Sequence, residues 1–557
     1  MARPPGGRVG LTAFLDVEET TTRVDSPRPT LARGSGTLIL ALTLALLAIL
    51  VTPEFSTQDG PAHLYNARIL DDALMNDGRG FGGTFAVVWR PLPNWAGHLA
   101  TMAAVGTLPR SLAARLMTAL PLLGFSAAVL WLRWRVAGGR GLGTVALASA
   151  ILGLNLTWLL GFTSFLIGAA VSAVTLGVWW GGRERFGPAR AVAIAALLVL
   201  GYFCHPVSLG VTLLGLAVLT TLTPGIHRGA RSGWTLASGL PLIPLVVTYV
   251  QITRVSGGLE PVWEHRSGWV SARSWLEQMA WVDPISLAPL AARPFGETGA
   301  AWHAALAPAV WTTVALAILA WSSLRSLKQD DRRAWLVLAG LLVVAGVLLP
   351  DTLGPRHGNF LPQRVGLLGL VALLPWLELD PGRPATRVGS LMLGFAVLVQ
   401  SAFVWDYAGV CRDRVGLVLQ AGKALAPGSR VATLWPDINV RFRANPWLHA
   451  DCYLGLQGGK VVWNNYETSH YYFPVKIPAG VDHPDPRDLE VVALLDRPED
   501  AARRAELWAE ILGKHAAAID AILEWGEEPA LDAIHARQYV LTFQRGPVRV
   551  WTRRGRP

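Results

Sequence analysis

The chain has 557 residues, of which 52% are hydrophobic and only 16% charged, and its mean hydropathy is +0.37. Soluble domains carry about a quarter charged residues, so this balance excludes a cytosolic enzyme, a disordered protein and a nucleic-acid binder, and describes an integral membrane protein. The net charge of +10 needs no nucleic acid, because helical membrane proteins collect Lys and Arg in their cytoplasmic loops. Three cysteines, Cys204, Cys411 and Cys452, are too few for a disulfide scaffold, though Cys411 and Cys452 share one domain and could form a single bridge.

Residues 1–33 are rich in Pro, Gly, Thr and Arg, without apolar periodicity, and read as a disordered cytoplasmic tail. Gly34 to Thr52 is an uncharged apolar run behind five arginines, long enough to cross a hydrocarbon layer of roughly 30 Å. It has no small-residue cleavage site before Pro53 and reads as an uncleaved anchor. Further apolar runs fall near 113–132, 142–160, 162–181, 190–204, 206–223, 233–250, 302–322, 333–349, 360–378 and 388–406, which predicts about eleven spans within a transmembrane domain at 34–406. Counting Leu92–Leu108 as another span would invert every later loop. With that segment left outside the membrane, the inner segments hold 17 Lys or Arg and the longer outer loops 9, as the positive-inside tendency requires. Residues 53–112 are therefore expected to be one large external loop, partly helical and lying along the membrane surface, with a second external loop at 251–301.

After the last span, residues 407–557 return to soluble composition and predict an external α/β domain. Val431–Leu434, Lys460–Trp463 and Leu489–Leu495 have strand character, and Ala501–Trp525 has helical periodicity. Tyr539–Phe543 and Val548–Thr552 flank Gln-Arg-Gly-Pro as a hairpin. The expected fold class is thus an all-α polytopic membrane protein carrying a C-terminal soluble α/β domain.

The stretch richest in chemistry is Ser56-Thr57-Gln58-Asp59-Gly60-Pro61-Ala62-His63, just past the first span. Asp59 and His63 share a face if a helix begins here. A carboxylate partly desolvated at a membrane surface suits a general base or a ligand for a hard cation. Asp before Gly-Pro equally suits a helix cap. At outer span ends stand His205, Arg356, His357 and Arg364, cationic or N–H donors for an anionic group, although arginines there also snorkel to headgroups. Gly161 with Phe162 and Phe165 marks a tight turn that lets two spans pack closely. In the external domain, the run from Trp463 to Phe473 mixes aromatic faces with Asn464, Asn465 and Glu467. It suits either a polyhydroxylated ligand or docking onto the first loop, and the segment 445–449 could join that surface. No phosphate loop, HExxH pair or cysteine pair at metal spacing occurs, and most of the 24 Trp are expected in the interface belt or the core.

One anchor helix, an acid at the start of a long first external loop with surface helices, many further spans and an external C-terminal domain together resemble the GT-C superfamily of polytopic glycosyltransferases. The resemblance covers roughly residues 34–406. It implies a polyprenyl-phosphate-linked sugar donor, a lipid or glycan acceptor, membrane lipids but no nucleic acid as partners, and an inverting transfer at the outer face of a bacterial cytoplasmic membrane. The family's first-loop catalytic acid falls on Asp59, with His63 beside it. His205, Arg356, His357 and Arg364 are the expected lipid-phosphate ligands, and a divalent cation, Mg or Mn, is the candidate cofactor. Many members pair two adjacent acids, whereas Gly60 follows Asp59 here and the nearest pair is Asp71 and Asp72. Two alternatives stand beside this reading. An envelope lipid or polysaccharide transporter or flippase would place ionisable groups in mid-span, and a non-catalytic membrane assembly protein would tolerate loss of Asp59.

Overall fold

The computed structural model describes residues 31–225, 227–256, 260–261, 308–324, 332–354, 357–438, 440, 442, 444–495 and 497–555. Most of the expected tail and of the loop at 251–301, together with Arg356, lie outside them. The chain is mostly helical. It opens with α1 (Leu31–Val51), α2 (Gly60–Met75), α3 (Trp95–Thr107), α4 (Arg110–Ala137), α5 (Leu142–Gly153) and a single turn, α6 (Leu156–Leu159). Then come α7 (Thr163–Gly181), α8 (Pro188–Cys204), α9 (Pro206–Leu222), α10 (Arg228–Gly239), α11 (Leu242–Ser256), α12 (Pro308–Ser323), α13 (Arg333–Leu348), α14 (Leu361–Leu373) and α15 (Pro384–Val410).

Each of the eleven apolar runs holds helix. By length and composition, four described helices suffice to cross a membrane: α1, α4, α7 and the rod at 384–424, with α10 and α11 together making a fifth that bends by 48°. The other apolar helices are shorter. The run at 142–160 is broken because Asn155 leaves the helix and caps α6, its side-chain oxygen accepting the Trp158 N–H at 3.1 Å. Close backbone approach holds α13 to α14, where a Cβ on Gly346 would lie 3.0 Å from the Gly366 Cα. At the ends facing away from the C-terminal domain, two buried arginines satisfy carbonyls: Arg133 donates to Leu377 O at 3.1 Å, and Arg231 donates to carbonyls that close α9.

Helix α15 runs on through a π-helical turn, Cys411–Val415, and the helix Gly416–Ala421, delivering the chain without a break into the C-terminal domain. There β2 (Arg430–Leu434), β3 (Val461–Val462), β5 (Ala521–Trp525), β6 (Tyr539–Arg545) and β7 (Val548–Arg553) form one sheet in the order β3-β2-β5-β7-β6. Strand β2 lies parallel to β3 and β5, and β7 runs antiparallel to β5 and β6. The expected hairpin is β6–β7.

Two expectations fail here. Leu489–Leu495 falls not in a strand but largely in α16 (Pro486–Leu494), which Asp485 caps by accepting the Arg487 N–H at 2.9 Å, and which buries Leu489, Val492 and Ala493 at helical spacing. The helix expected to reach Trp525 stops at His515 as α17 (Ala501–His515). Ala521–Trp525, buried at every residue, becomes the central strand β5, apolar but for Glu524 and covered on both faces, with β2 parallel on one side and β7 antiparallel on the other. Cys411 and Cys452 are buried free thiols rather than a bridge, and Cys411 donates to Ser56 O at 3.7 Å. Among the described residues, nine tryptophans are almost completely buried, four among the helices and five in this domain, as core.

The first loop and the C-terminal domain are one packed unit. Strand β1 (Ala86–Val87) in the loop pairs antiparallel with β4 (Val475–Lys476) in the domain. Asn66 and Asn465, both buried, exchange side-chain amide hydrogen bonds of 2.9 and 3.1 Å. Tyr65 donates to Lys460 O at 3.1 Å and accepts the Val462 N–H at 3.1 Å. The run at 463–473 therefore serves docking.

Candidate active site between the first loop and the C-terminal domain

Pro61 in the first turn starts α2, and Asp59 occupies the capping position, but its backbone is helical and its side chain makes no capping bond. The cap reading fails because the loop is held by other means. Gln58 and Asp59 donate their backbone N–H groups to Leu159 O and Leu160 O at 2.9 and 3.0 Å, which seats the loop on the turn at Gly161. That turn needs glycine: Gly161 has φ +88°, and a Cβ there would lie 2.8 to 3.1 Å from Thr57 Oγ1, Gly60 N and Asp59 N.

The freed Asp59 carboxylate is partly buried, its side chain 13% exposed, and is raised to about 6, chiefly by desolvation, with Glu467 adding to the rise and His63 and hydrogen bonds from Tyr466 and Gln58 opposing it. His449 Nε2 stands 3.8 Å from Asp59 Oδ1. Burial holds His449 down to about 4, so it faces the carboxylate as a neutral ring, tilted by 32° against Tyr466 at 4.7 Å between centroids. Asn445 N–H donates to Gln58 Oε1 at 2.9 Å, so the segment 445–449 does join this surface.

His63, one turn along α2, sets Nδ1 against Glu467 Oε1 and Nε2 3.1 Å from Gly161 O. His98 of α3 sets Nε2 2.9 Å from Glu467 Oε2. Burial alone would raise the Glu467 carboxyl, but the two imidazoles hold it at about 2. Phe473 packs over both rings, with centroids 6.2 and 5.4 Å away. Lys476 reaches back to donate to the carbonyls of Thr468 and His470, fixing the loop that carries Glu467.

On the helical side, Arg364 in the first turn of α14 is buried over the Phe162 ring, with its guanidinium carbon 4.2 Å from the centroid. Its Nε has no hydrogen-bond partner among the described residues, and Asp59 and the hydroxyls of Tyr472 and Tyr466 lie near enough to act on its charge. His205, between α8 and α9, accepts the Val207 N–H on Nδ1 at 3.2 Å and sets Nε2 3.2 Å from Arg364 Nη1. A neutral ring that accepts on Nδ1 carries its proton on Nε2, so two donors point at each other. An anion placed between them would accept from both.

Of the residues expected from sequence, Asp59, His63, His205 and Arg364 converge on this region. His357 lies to one side, with Nδ1 3.2 Å from the Tyr471 hydroxyl, and Arg356 falls outside the described residues. The adjacent acids are structural. Asp71 pairs with Arg68, and Asp72 accepts from Asn76 and Gly80 N–H at 3.0 Å each. Sequence reasoning missed the roles of His98 and Glu467, which lie 369 residues apart; no local spacing signals such a pair.

No family model and no curated protein matches the chain. Among solved structures it is similar to the arabinofuranosyltransferase AftD from Mycobacteria, at 15% identity and a TM-score of 0.49, over 96% of this chain and 40% of that one. It is also similar to ArnT from Cupriavidus metallidurans bound to undecaprenyl phosphate, at 13% identity and a TM-score of 0.49, over 93% and 98% of the two chains. A third is the archaeal oligosaccharyltransferase AglB from Archaeoglobus fulgidus, in complex with an inhibitory peptide and a dolichol-phosphate, at 10% identity and a TM-score of 0.46, over 88% and 69%. The chain thus spans about two-fifths of the length of AftD.

Proposed function

We propose that this protein is a membrane glycosyltransferase that moves a sugar from a polyprenyl-phosphate-linked donor to an acceptor hydroxyl, with Asp59 as general base. The observation that carries the reading is the pairing of a desolvated carboxylate, Asp59, with a buried donor-rich pair, Arg364 and His205, within electrostatic reach of one another. An acceptor hydroxyl attacking the anomeric carbon gives its proton to Asp59, while the bond from that carbon to the phosphate oxygen breaks and polyprenyl phosphate leaves. The leaving group gains negative charge as the bond breaks, and preorganised donors in a site shielded from water stabilise it far more than water would. Attack opposite the leaving group makes the transfer inverting.

The apolar surface nearest this point is the place we assign to the prenyl chain. An apolar groove of about 310 Å³ lies among α3, α4 and α7, lined by Ala104, Leu108, Leu120 and Phe125, and its residue Met117 also borders a small cavity beside Gly60 and His63. Charge bias in the loops supports a cytoplasmic N-terminus and an extracytoplasmic C-terminal domain, and the reading takes the reaction to occur on the outer face of a bacterial cytoplasmic membrane.

The test is to give the purified protein in proteoliposomes a donor labelled in its sugar, with a lipid or glycan acceptor fraction. The proposal expects label to leave the polyprenyl phosphate and enter the acceptor. Label that stays on intact donor and merely changes leaflet would instead establish a flippase.

A further inference from the structure

We propose that His63, His98 and Glu467 form a binding site for one divalent transition-metal ion of the zinc type, clamped between the first-loop helices and the C-terminal domain. The inference is separate from glycosyl transfer and is read out without it.

The ligand atoms of these three residues all lie within 4.8 Å of one another. What singles them out is the placement of protons. His63 Nε2 is 3.1 Å from the Gly161 carbonyl oxygen, which only accepts, so that nitrogen carries the hydrogen. His98 Nδ1 is 3.3 Å from the Asn94 carbonyl oxygen, so it too carries the hydrogen. In neutral rings the remaining nitrogens, Nδ1 of His63 and Nε2 of His98, are then lone pairs. Both are aimed at Glu467, one at each carboxylate oxygen. Acceptors face acceptors in a place where His98 is 2% exposed and Glu467 is fully buried. Protonating Glu467 or one ring would supply one hydrogen and leave the other contact opposed, and protons alone meet every contact only if both rings are charged beside the one carboxylate. A divalent cation satisfies all three groups at once.

The donor set also selects the ion. Two imidazoles and a carboxylate are the ligands zinc takes in many sites, whereas Mg and Ca favour all-oxygen sets. Metal-bound histidines regularly donate their outer N–H to a backbone carbonyl or a carboxylate, which fixes the tautomer, as Gly161 and Asn94 do here. Phe473, packed against both rings, would limit access of water to the ion.

A second cluster of similar composition fails the same accounting. In the C-terminal domain Glu524, Asp532 and His535 also gather, but His535 Nε2 accepts the Trp508 indole N–H at 2.8 Å, so its Nδ1 carries the hydrogen and offers no lone pair. Arg549 already stands between the acids, 2.9 Å from Glu524 and 2.7 Å from Asp532. That cluster has its cation.

An ion at the first site would tie α2, α3 and the C-terminal domain together one helical turn from Asp59, and so position the carboxylate without touching substrate. The test uses the full chain purified in detergent, stripped with a chelator, given Zn²⁺ alone and freed of unbound metal. Elemental analysis should find one zinc retained per chain and the melting temperature should rise with Zn²⁺ but not with Mg²⁺. His98→Gln and Glu467→Gln should abolish retention, while His515→Gln on the surface should keep it. Absence of retention by the folded wild type, or retention unaffected by both variants, would overturn the proposal and leave a protonated histidine clamp. Should either variant fail to fold, Co²⁺ bound to the wild type decides. Strong visible absorption of a four-coordinate site with imidazole ligands supports the assignment, and the weak spectrum of six-coordinate cobalt refutes it.

Discussion

His205 and Arg364 meet through nitrogens 3.2 Å apart, and each presents a hydrogen to the other. Neighbouring donors in a buried place are relieved by an anion, and hydrogen bonds to a charged group are worth about 1.5–3 kcal/mol each. Arg364→Lys keeps the charge but loses the planar fork that meets phosphate oxygens in pairs. We expect it to raise KM for the polyprenyl-phosphate donor roughly tenfold to a hundredfold, with a smaller change in KM for the acceptor. Steady-state kinetics with each substrate varied in turn checks this.

Asp59 predicts a pH profile. Burial raises its carboxyl from 3.8 to about 6, and a general base acts only when ionised. Transfer should therefore be level above about pH 6 and fall about tenfold for each pH unit below it. An ordinary exposed aspartate would place that fall two units lower. Single-turnover transfer between pH 4.5 and 8 separates the two, provided the protein is shown to stay folded at the acid end.

Gly161→Ala changes no reacting group. It forces a side chain onto a left-handed backbone and into Thr57 Oγ1 and the backbone nitrogens of Asp59 and Gly60, which must move. Displacing a reacting group by about 1 Å is enough to lose on the order of a hundredfold in rate. We expect kcat to fall by that order while donor binding changes little, measured by kinetics beside a direct donor-binding assay.

The interface itself is testable through Asn66 and Asn465. Truncating either leaves a buried amide without a partner, at about 1–3 kcal/mol, whereas replacing both removes the need for either bond. In a double-mutant cycle, Asn66→Ala with Asn465→Ala should cost less than the two single changes added together. Thermal unfolding in detergent, or protease release of the C-terminal domain, reads this out.

How far these features could be read in advance follows from the range of the interactions involved. The Asp59–His63 pair was visible because four residues on a helix is a local relation, and the arginine bias was the ground for reading Leu92–Leu108 as part of the first loop. The hairpin β6–β7 was visible through its turn. The partners of those residues were not: Glu467 reaches His63 across 404 residues, and His449 reaches Asp59 from a segment with no periodicity. The errors at Leu489–Leu495 and Ala521–Trp525 share one cause. A short apolar run does not reveal by itself whether it is helix or strand; Asp485 and Pro486 decided the first for helix, and pairing with β2 and β7 decided the second for strand.

The central claim is that Asp59 removes the acceptor proton, and Asp59→Asn tests it most directly. Because the side chain makes no capping bond, the variant should insert, fold and melt as the wild type does. Transfer of labelled sugar from polyprenyl phosphate in membranes matched for protein should fall by at least about a hundredfold, the lower end of what general-base catalysis contributes. Transfer equal to the wild type in a folded Asp59→Asn protein would contradict the account.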